Sequence, residues 1–507
     1  MCKDIIQTGG GKGREMRTTI IEHVADCAVS NPKKLAVMTP DDRVSYGALY
    51  AYARGYASYL VSSGLTRGDI VVLKATQTIE YAIQYLGIHL VGGVVTSLGR
   101  TVSDSEMVDV AKSIGAAAII TDSALADETC SAVAVPRGNV RDIASEHVSD
   151  GVELRFPDLA DPADILFTTG TTGATKGVEL SHRALVATAE NLIFGCEYRD
   201  DTVIIVPGPL NHANAIRKLY TSFVNGSSAC LLNGISDTKP FFSVLDSAEG
   251  SIACCLPPAA IRKIFQLTKD KIGAYRDRID FIESASAPLP EADKDRLCEL
   301  LPKTRLYNNY GSSEAASVCM YDYNRYRGRD NCVGKAMPNS SIIIVDDEHH
   351  EIRSSKENVG LIACIGDVNM NGYVNEPELT GEVLEDGIVY TNDLGYIDDE
   401  GFVYVIGRTG DVINVGGLKV APSEVESAVL AYDGIADCIC IAIRDEITSN
   451  ALKLLVVMEE GRELDVQDLA SFLSRRLESF KIPRAYEVVD SVERTYNGKL
   501  NRKFYLQ

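Results

Sequence analysis

Between Phe167 and Val178 the chain reads Phe-Thr-Thr-Gly-Thr-Thr-Gly-Ala-Thr-Lys-Gly-Val. Thr168, Thr169, Thr171 and Thr172 supply hydroxyl donors, and Gly170, Gly173 and Gly177 let a backbone come close to a ligand. Those are the requirements for cradling phosphate oxygens. Lys176 adds a point charge at the end of the run. The spacing of glycine and lysine is not that of a Walker A loop. Composition alone also fits a plain Gly/Thr surface loop.

Such a loop needs rigid elements on either side. The apolar run Ile165-Leu166-Phe167 predicts a strand entering it. Ser181 can cap a helix leaving it, with Leu185, Ala189, Leu192 and Ile193 on one face. Upstream, Leu49, Ala53, Tyr56, Ala57 and Leu60 recur at helical spacing, and Ile70-Val71-Val72-Leu73 and Ala116–Thr121 read as buried strands. This alternation, repeated between 163 and about 340, predicts mostly parallel sheets flanked by helices. Residues 130–160 are more polar and read as a linking segment. From 340 a strand (Ser341–Val345) and two turn signals, Glu385-Asp386-Gly387 and Asp399-Glu400-Gly401, predict a small antiparallel unit. Beyond it, a helix (Ser423–Leu430), two strands (Cys438–Ile443, Leu452–Met458) and a second helix (Val466–Leu477) predict a compact α+β domain. Gly410 and Gly416-Gly417 bracket the junction and place a flexible boundary there. The expected fold is α/β: a large N-terminal domain, residues 1–409, of two helix-flanked sheets plus a β-rich subdomain. A small mobile α+β domain, residues 410–507, follows a hinge near Gly410.

The whole chain narrows the partners. At 507 residues it exceeds one compact core. A formal net charge of −21 argues against nucleic acid and anionic lipid. A phosphate ligand must therefore find its positive field in a few Lys, Arg and backbone N–H groups. The 13 cysteines are odd in number and form no CxxC pair, and Cys254, Cys255, Cys438 and Cys440 sit in apolar runs. Buried reduced thiols in a reducing compartment are the expectation. Residues 1–17 lack the apolar core of a signal peptide. The longest apolar stretch, Tyr81–Leu98, holds Gln84, His89, Gly92 and Gly93, and reads as a buried helix running into a strand rather than a membrane span. A soluble cytoplasmic protein is expected.

The phosphate run resembles the adenylate-forming superfamily of acyl-CoA synthetases, luciferases and peptide-synthetase adenylation domains, with Thr175 where Pro is usual. The resemblance extends from about residue 19 to the C-terminus, in several motifs in the family's order. Pro209-Leu210-Asn211-His212 is similar to the segment whose His or aromatic residue lines the carboxylate pocket; a buried core His is the plainer reading. Ser284-Ala285-Ser286-Ala287-Pro288-Leu289 resembles the small-residue turn that lies against adenine and the acyl group, although such a segment is also an ordinary tight turn. In Asn308-Asn309-Tyr310-Gly311-Ser312-Ser313-Glu314, Tyr310 offers adenine a flat face and Asn309 a hydrogen bond to its amino group. Glu314 is a hard oxygen ligand for the Mg²⁺ that accompanies ATP, where an isolated Glu would simply be solvated. Tyr390-Thr391-Asn392-Asp393-Leu394-Gly395 resembles the segment whose Asp accepts the ribose hydroxyls, with Asn392 replacing Gly; a turn-forming Asp is the alternative. Arg408 follows at the expected distance, to reach ribose or phosphate. Gly410 stands where the family carries its Asp or Lys hinge. Arg494–Arg502 resembles the Gly-Lys loop whose lysine is catalytic, here Lys499, with Glu493 replacing Pro. Outside that pattern, Lys499 would be a solvated lysine near the chain end.

The resemblance implies an enzyme that joins a carboxylate to the α-phosphorus of MgATP, with Thr172, His212, Glu314 and Lys499 as the catalytic set. Lys419 stands where relatives place a basic residue for coenzyme A, although an exposed Lys is commonplace. The chain continues eight residues past Lys499, so no fused carrier domain is expected. The acyl acceptor is coenzyme A or a free-standing carrier protein. Pro209–Ala215 lacks the Asp that amino-acid-selecting relatives use for the ammonium group. Arg217 and Lys218 stand where relatives have apolar or Gly residues; Arg217 pairs with a second carboxylate or other polar group of the substrate, or else faces solvent. The departures at Thr175, Asn392, Gly410 and Glu493 leave one further class open, a degraded relative that binds nucleotide or acyl ligand without turnover.

Overall fold

The computed structural model describes residues 18–122, 132–135, 138–147, 154–169, 175–416, 418–445, 447–494 and 500–505. Two sheets form the bulk of residues 18–408. The smaller has seven strands, with Ile70–Ala75, Val94–Gly99 and Pro162–Thr169 parallel at its centre. The larger has 14 strands. Its parallel core runs through Ser228–Leu231, Thr202–Val206, Ser251–Cys255, Ile279–Ser284 and Arg305–Gly311. At its centre, every residue of Thr202–Val206 and Ser228–Leu231 is buried. Continuous burial is the mark of a parallel sheet covered by helices on both sides.

The expected helix–strand run at Tyr81–Leu98 forms as helix Ile79–Val91 and strand Val94–Gly99. Gly92, at φ 76°, ends the helix in the left-handed conformation that glycine adopts without a Cβ clash. Ser181 caps helix His182–Gly195 by accepting from the Ala184 N–H, and Leu185, Ala189 and Leu192 are buried beneath it. The hairpin predicted at Glu385-Asp386-Gly387 joins strands Leu384–Glu385 and Ile388–Ile397, with φ of 49° and 80° at Asp386 and Gly387. Two consecutive positive φ values are the mark of a tight type I′ turn.

One expectation needs correction. Within 130–160, read as a linking segment, strand Val133–Val135 extends the seven-stranded sheet and helix Val140–His147 packs on helix Tyr46–Ser62. A Cβ on Gly55 would lie 1.9 Å from the Ala144 carbonyl oxygen, so the two backbones touch where no side chain fits. The helix is polar on its outer face, which hides its periodicity. The β-rich unit from 340 is joined to the large sheet within the N-terminal residues. Strand Cys332–Ala336 pairs with both Ser317–Asp322 and Val403–Arg408, which makes the large sheet continuous through it.

The C-terminal residues form a three-stranded sheet, Ile435–Asp445, Ser449–Met458 and Ala485–Val488, with helices Pro422–Val429 and Val466–Ser474 around their own apolar core. The eleven described cysteines are unpaired, and all but Cys27 are buried, as reduced thiols in apolar runs should be. Among the described residues no helix is long and apolar enough to cross a membrane.

Candidate active site

Ligands of open parallel sheets gather at the carboxyl ends of the strands. There, strand Pro162–Thr169 turns into Thr175–Ser181, with Thr168 opposite Lys176. Residues Gly170, Thr171, Thr172, Gly173 and Ala174 lie outside the described residues, as do the side chains of Thr169 and Thr175. Lys176 is described: its Nζ lies 5.2 Å from the centre of the Tyr373 ring. Tyr373 sits on strand Gly372–Tyr373, antiparallel to the lysine's own strand. Its hydroxyl donates to Glu314 Oε1 at 2.9 Å. Burial and that carboxylate both hold the phenol well above its usual range, so it remains a donor. Tyr373 links the lysine of one motif to the carboxylate of another, and no sequence motif points to it.

Glu314 is held from its own side too. Its N–H and that of Ala315 donate to Ser312 Oγ at 3.1 and 3.0 Å, and its carbonyl accepts from Met370 N–H. Among the described residues, three potential metal donors converge only at Asp346, Glu348 and His350, on an outer turn of the β-rich unit. Glu314 is thus one carboxylate without a built cage. That fits magnesium, which takes one or two carboxylates and fills its shell with phosphate oxygens and water.

Tyr310 and Asp393 form the next pair. The Tyr310 hydroxyl donates to Asp393 Oδ2 at 2.8 Å, and Arg408 Nε approaches Oδ1 at 3.2 Å across the pairing of their strands. The Asp393 N–H donates to Thr391 Oγ1, so the side-chain carboxylate is presented rather than spent on a turn. Ser286, Ala287 and Pro288 are exposed just past the end of strand Ile279–Ser284, and Ser284 pairs in register with Asn308. Ser286 holds φ at 77°, a left-handed conformation that a non-glycine residue adopts at a cost of about 1 kcal/mol or more.

Asn309 points inward. Its Nδ2 donates to Glu283 Oε1 at 2.8 Å and Ser317 Oγ at 3.1 Å. Oδ1 alone remains to receive a purine amino group, and it is buried with no hydrogen-bond partner. His212 is half-exposed at the N-terminus of helix Ala213–Asn225, which removes the buried-core reading. The loop before it is fastened by Gln77, whose Nε2 donates to the carbonyls of Val206, Gly208 and Leu232 and whose Oε1 accepts the Leu210 N–H. Gln77 lies just beyond strand Ile70–Ala75 of the other sheet, so it ties the two sheets together at the site. A lone Gln carries no motif, and sequence reasoning passes over it.

The solvent-facing alternative for Arg217 and Lys218 is wrong: they are 6% and 0% exposed. Arg217 Nη2 donates to the Ser312 carbonyl at 2.7 Å. Lys218 Nζ lies 3.0 Å from Glu283 Oε1, an ion pair outside hydrogen-bond alignment. Lys499 lies outside the described residues, as does the Lys419 side chain, although the Lys419 backbone pairs with Asn414. Gly410 does not hold a positive φ, and a Cβ there would meet nothing within 4 Å.

The family model described as AMP-binding enzyme matches residues 24–374, and that of the AMP-binding enzyme C-terminal domain matches 424–499. 4-Coumarate-CoA ligase 1 of Narcissus pseudonarcissus is 24% identical, covering 87% of this chain and 84% of its own. A long-chain-fatty-acid–CoA ligase of Bacillus subtilis is 25% identical, covering 96% and 94%. The crystal structure of ATP-bound MatB from Rhodopseudomonas palustris superposes with a TM-score of 0.85 at 25% identity, over 96% of this chain and 98% of that one. MenE, the o-succinylbenzoate-CoA synthetase of Bacillus subtilis, solved with its acyl-adenylate, shares the fold with a TM-score of 0.81 at 21% identity, over 96% and 98%. With a family model spanning well over half its length, the chain belongs to the AMP-binding enzyme family, the adenylate-forming ligases that its motifs resemble.

Proposed function

We propose that this protein activates a carboxylic acid as its acyl-adenylate and transfers the acyl group to the thiol of coenzyme A. The observation that carries this reading is the chain of contacts Lys176–Tyr373–Glu314 at the strand ends, beside the Tyr310–Asp393–Arg408 cluster. One suits a polyphosphate and its metal, the other a ribose.

A carboxylate is a poor electrophile, because its charge repels nucleophiles. Here its oxygen attacks the α-phosphorus of ATP; the bond to the β-phosphate oxygen breaks, and pyrophosphate leaves. The Glu314 carboxylate, oriented by Tyr373, would hold magnesium, which would supply Lewis-acid neutralisation of the phosphate oxygens. The Thr169–Lys176 loop and Lys499 receive the remaining charge, each well-aimed group being worth on the order of 3 kcal/mol. Asp393 accepts the ribose hydroxyls and His212 borders the carboxylate. The thiol then attacks the acyl carbon, and AMP departs with the bonding electrons of the anhydride.

Residues 410–507 act as the moving part, with Gly410 as hinge and Lys419 as the basic residue for coenzyme A. Proline at 410 restricts both that residue and Thr409, so Gly410→Pro slows one half-reaction more than the other. Equal effects on both would remove the hinge from the reading.

The decisive experiment measures pyrophosphate release over a panel of acids, with and without coenzyme A. Acid-dependent release, with thioester formed only when the thiol is present, is expected. Thioester on a phosphopantetheine carrier protein but none on coenzyme A would select the carrier alternative. Nucleotide binding with no release for any acid would leave a binding protein.

A further inference from the structure

We propose that the acid activated here carries a second anionic group, and that Arg217 selects it; this rests on the adenylation reading above. Helix Ala213–Asn225 leaves the carboxyl end of strand Thr202–Val206 and runs under the site. It buries two successive cations, and the protein treats them differently. Lys218 has its own anion in Glu283, 3.0 Å away. Arg217 has none within ion-pair distance among the described residues; the Glu314 and Glu283 carboxylates act on it from farther away. It hydrogen-bonds the neutral Ser312 carbonyl and the Tyr220 hydroxyl, and Nε has no hydrogen-bond partner.

A guanidinium buried to this degree loses most of its hydration, and a carbonyl, a phenol and two more distant carboxylates offset only part of that cost. An anion supplied by a ligand offsets the rest. The planar fork of donors is shaped for a carboxylate, which it can grip through two parallel hydrogen bonds.

Its position points the same way. Ser312, which Arg217 touches, also braces Glu314, so the guanidinium lies beside the nucleotide residues rather than in a remote core. One turn earlier on the same helix face, Asn214 reaches Cys255 Sγ at the end of strand Ser251–Cys255. Ser284 Oγ, at the end of the next strand, is buried without a partner. A cation, an amide and an unpaired hydroxyl on these adjoining elements are unsuited to a long aliphatic tail. They suit a short acid with a charged far end.

The test compares kcat/KM for pyrophosphate release between dicarboxylic acids and monocarboxylic acids of equal carbon number. The wild-type enzyme is expected to prefer the diacid by about tenfold or more, the scale of one charge-assisted pair. Arg217→Gln should narrow that preference, lowering diacid efficiency more than monoacid efficiency, and Arg217→Lys should keep part of it. Equal wild-type efficiency for both acid types overturns the proposal without needing a variant. An equal fall for both acids in Arg217→Gln also overturns it, because the arginine would then only brace the Ser312 carbonyl. Either result leaves adenylation standing; release with no acid of either kind removes adenylation, and this proposal with it.

Discussion

The hydroxyl of Tyr373 donates to Glu314 Oε1 at 2.9 Å while Lys176 Nζ lies over the same ring. The two residues are 59 positions apart. Tyr373 fixes one oxygen of the carboxylate and links it to Lys176 through its ring. Removing the hydroxyl as Tyr373→Phe keeps the ring under Lys176 and frees Glu314 to rotate. A hydrogen bond to a charged group is worth about 1.5 kcal/mol or more, so the magnesium requirement should rise by about tenfold. A magnesium titration of pyrophosphate release reads this directly. An unchanged half-saturation concentration would separate Tyr373 from the metal.

Asp393 receives the Tyr310 hydroxyl and the Arg408 guanidinium on different oxygens. If the same carboxylate takes the ribose diol, Asp393→Ala should raise KM for ATP by roughly 10- to 100-fold, the loss of one or two charged hydrogen bonds. The nucleotide itself supplies the control. With wild-type enzyme, 2′-deoxy-ATP should be a poorer substrate than ATP, and with the variant the two should converge. A persistent difference would place the ribose elsewhere.

The sequence made the fold legible where residue type and periodicity coincide, as at the Glu385–Gly387 turn. Asp393 and Arg408, named through the family resemblance, are brought together by strand pairing. What escaped reading depends on contacts far apart along the chain. Tyr373 and Gln77 belong to no motif and matter only for what lies across from them. Arg217 and Lys218 suggested an exposed helix face because charge usually predicts exposure. Lys218 is buried because Glu283, on another element, meets it. The tie between the Asn309 amide nitrogen and the same Glu283 is likewise marked by no motif.

That buried pair carries its own prediction. Lys218 and Glu283 are 1% and 0% exposed in their side chains. Removing one partner strands the other charge, so Lys218→Met should destabilise the large domain by about 3 kcal/mol or more. Lys218→Met combined with Glu283→Gln should recover much of that loss, since an amide can still meet Asn309 and no unpaired charge remains. Denaturant midpoints for the two single variants and the double variant measure the coupling. A double variant no more stable than the worse single one would show that the ion pair is not what organises this seam.

Near the chain end, Glu426 on helix Pro422–Val429 accepts the Cys440 N–H at 2.8 Å and meets Arg502, with Nη2 at 2.5 Å from Oε2. Arg502 lies three positions after Lys499, the lysine proposed to be catalytic, so this contact anchors the chain just beyond it. Burial outweighs the attraction of Arg502 and pushes the Glu426 carboxyl up to about 7. Because the folded value lies above the unfolded one, the folded state holds the proton more tightly. The stabilisation is full below the unfolded carboxyl range, near pH 4.5, and is lost as pH rises through 7. Stability of the C-terminal domain should therefore fall across that window, by roughly 1–3 kcal/mol. Glu426→Gln, which keeps the side-chain shape and cannot ionise, should flatten the profile. Arg502→Ala should steepen the loss at neutral pH and slow adenylation more than thiol transfer. Thermal midpoints between pH 5 and 8 for all three proteins test the linkage, and a Glu426→Gln profile parallel to wild type would assign the slope to another group.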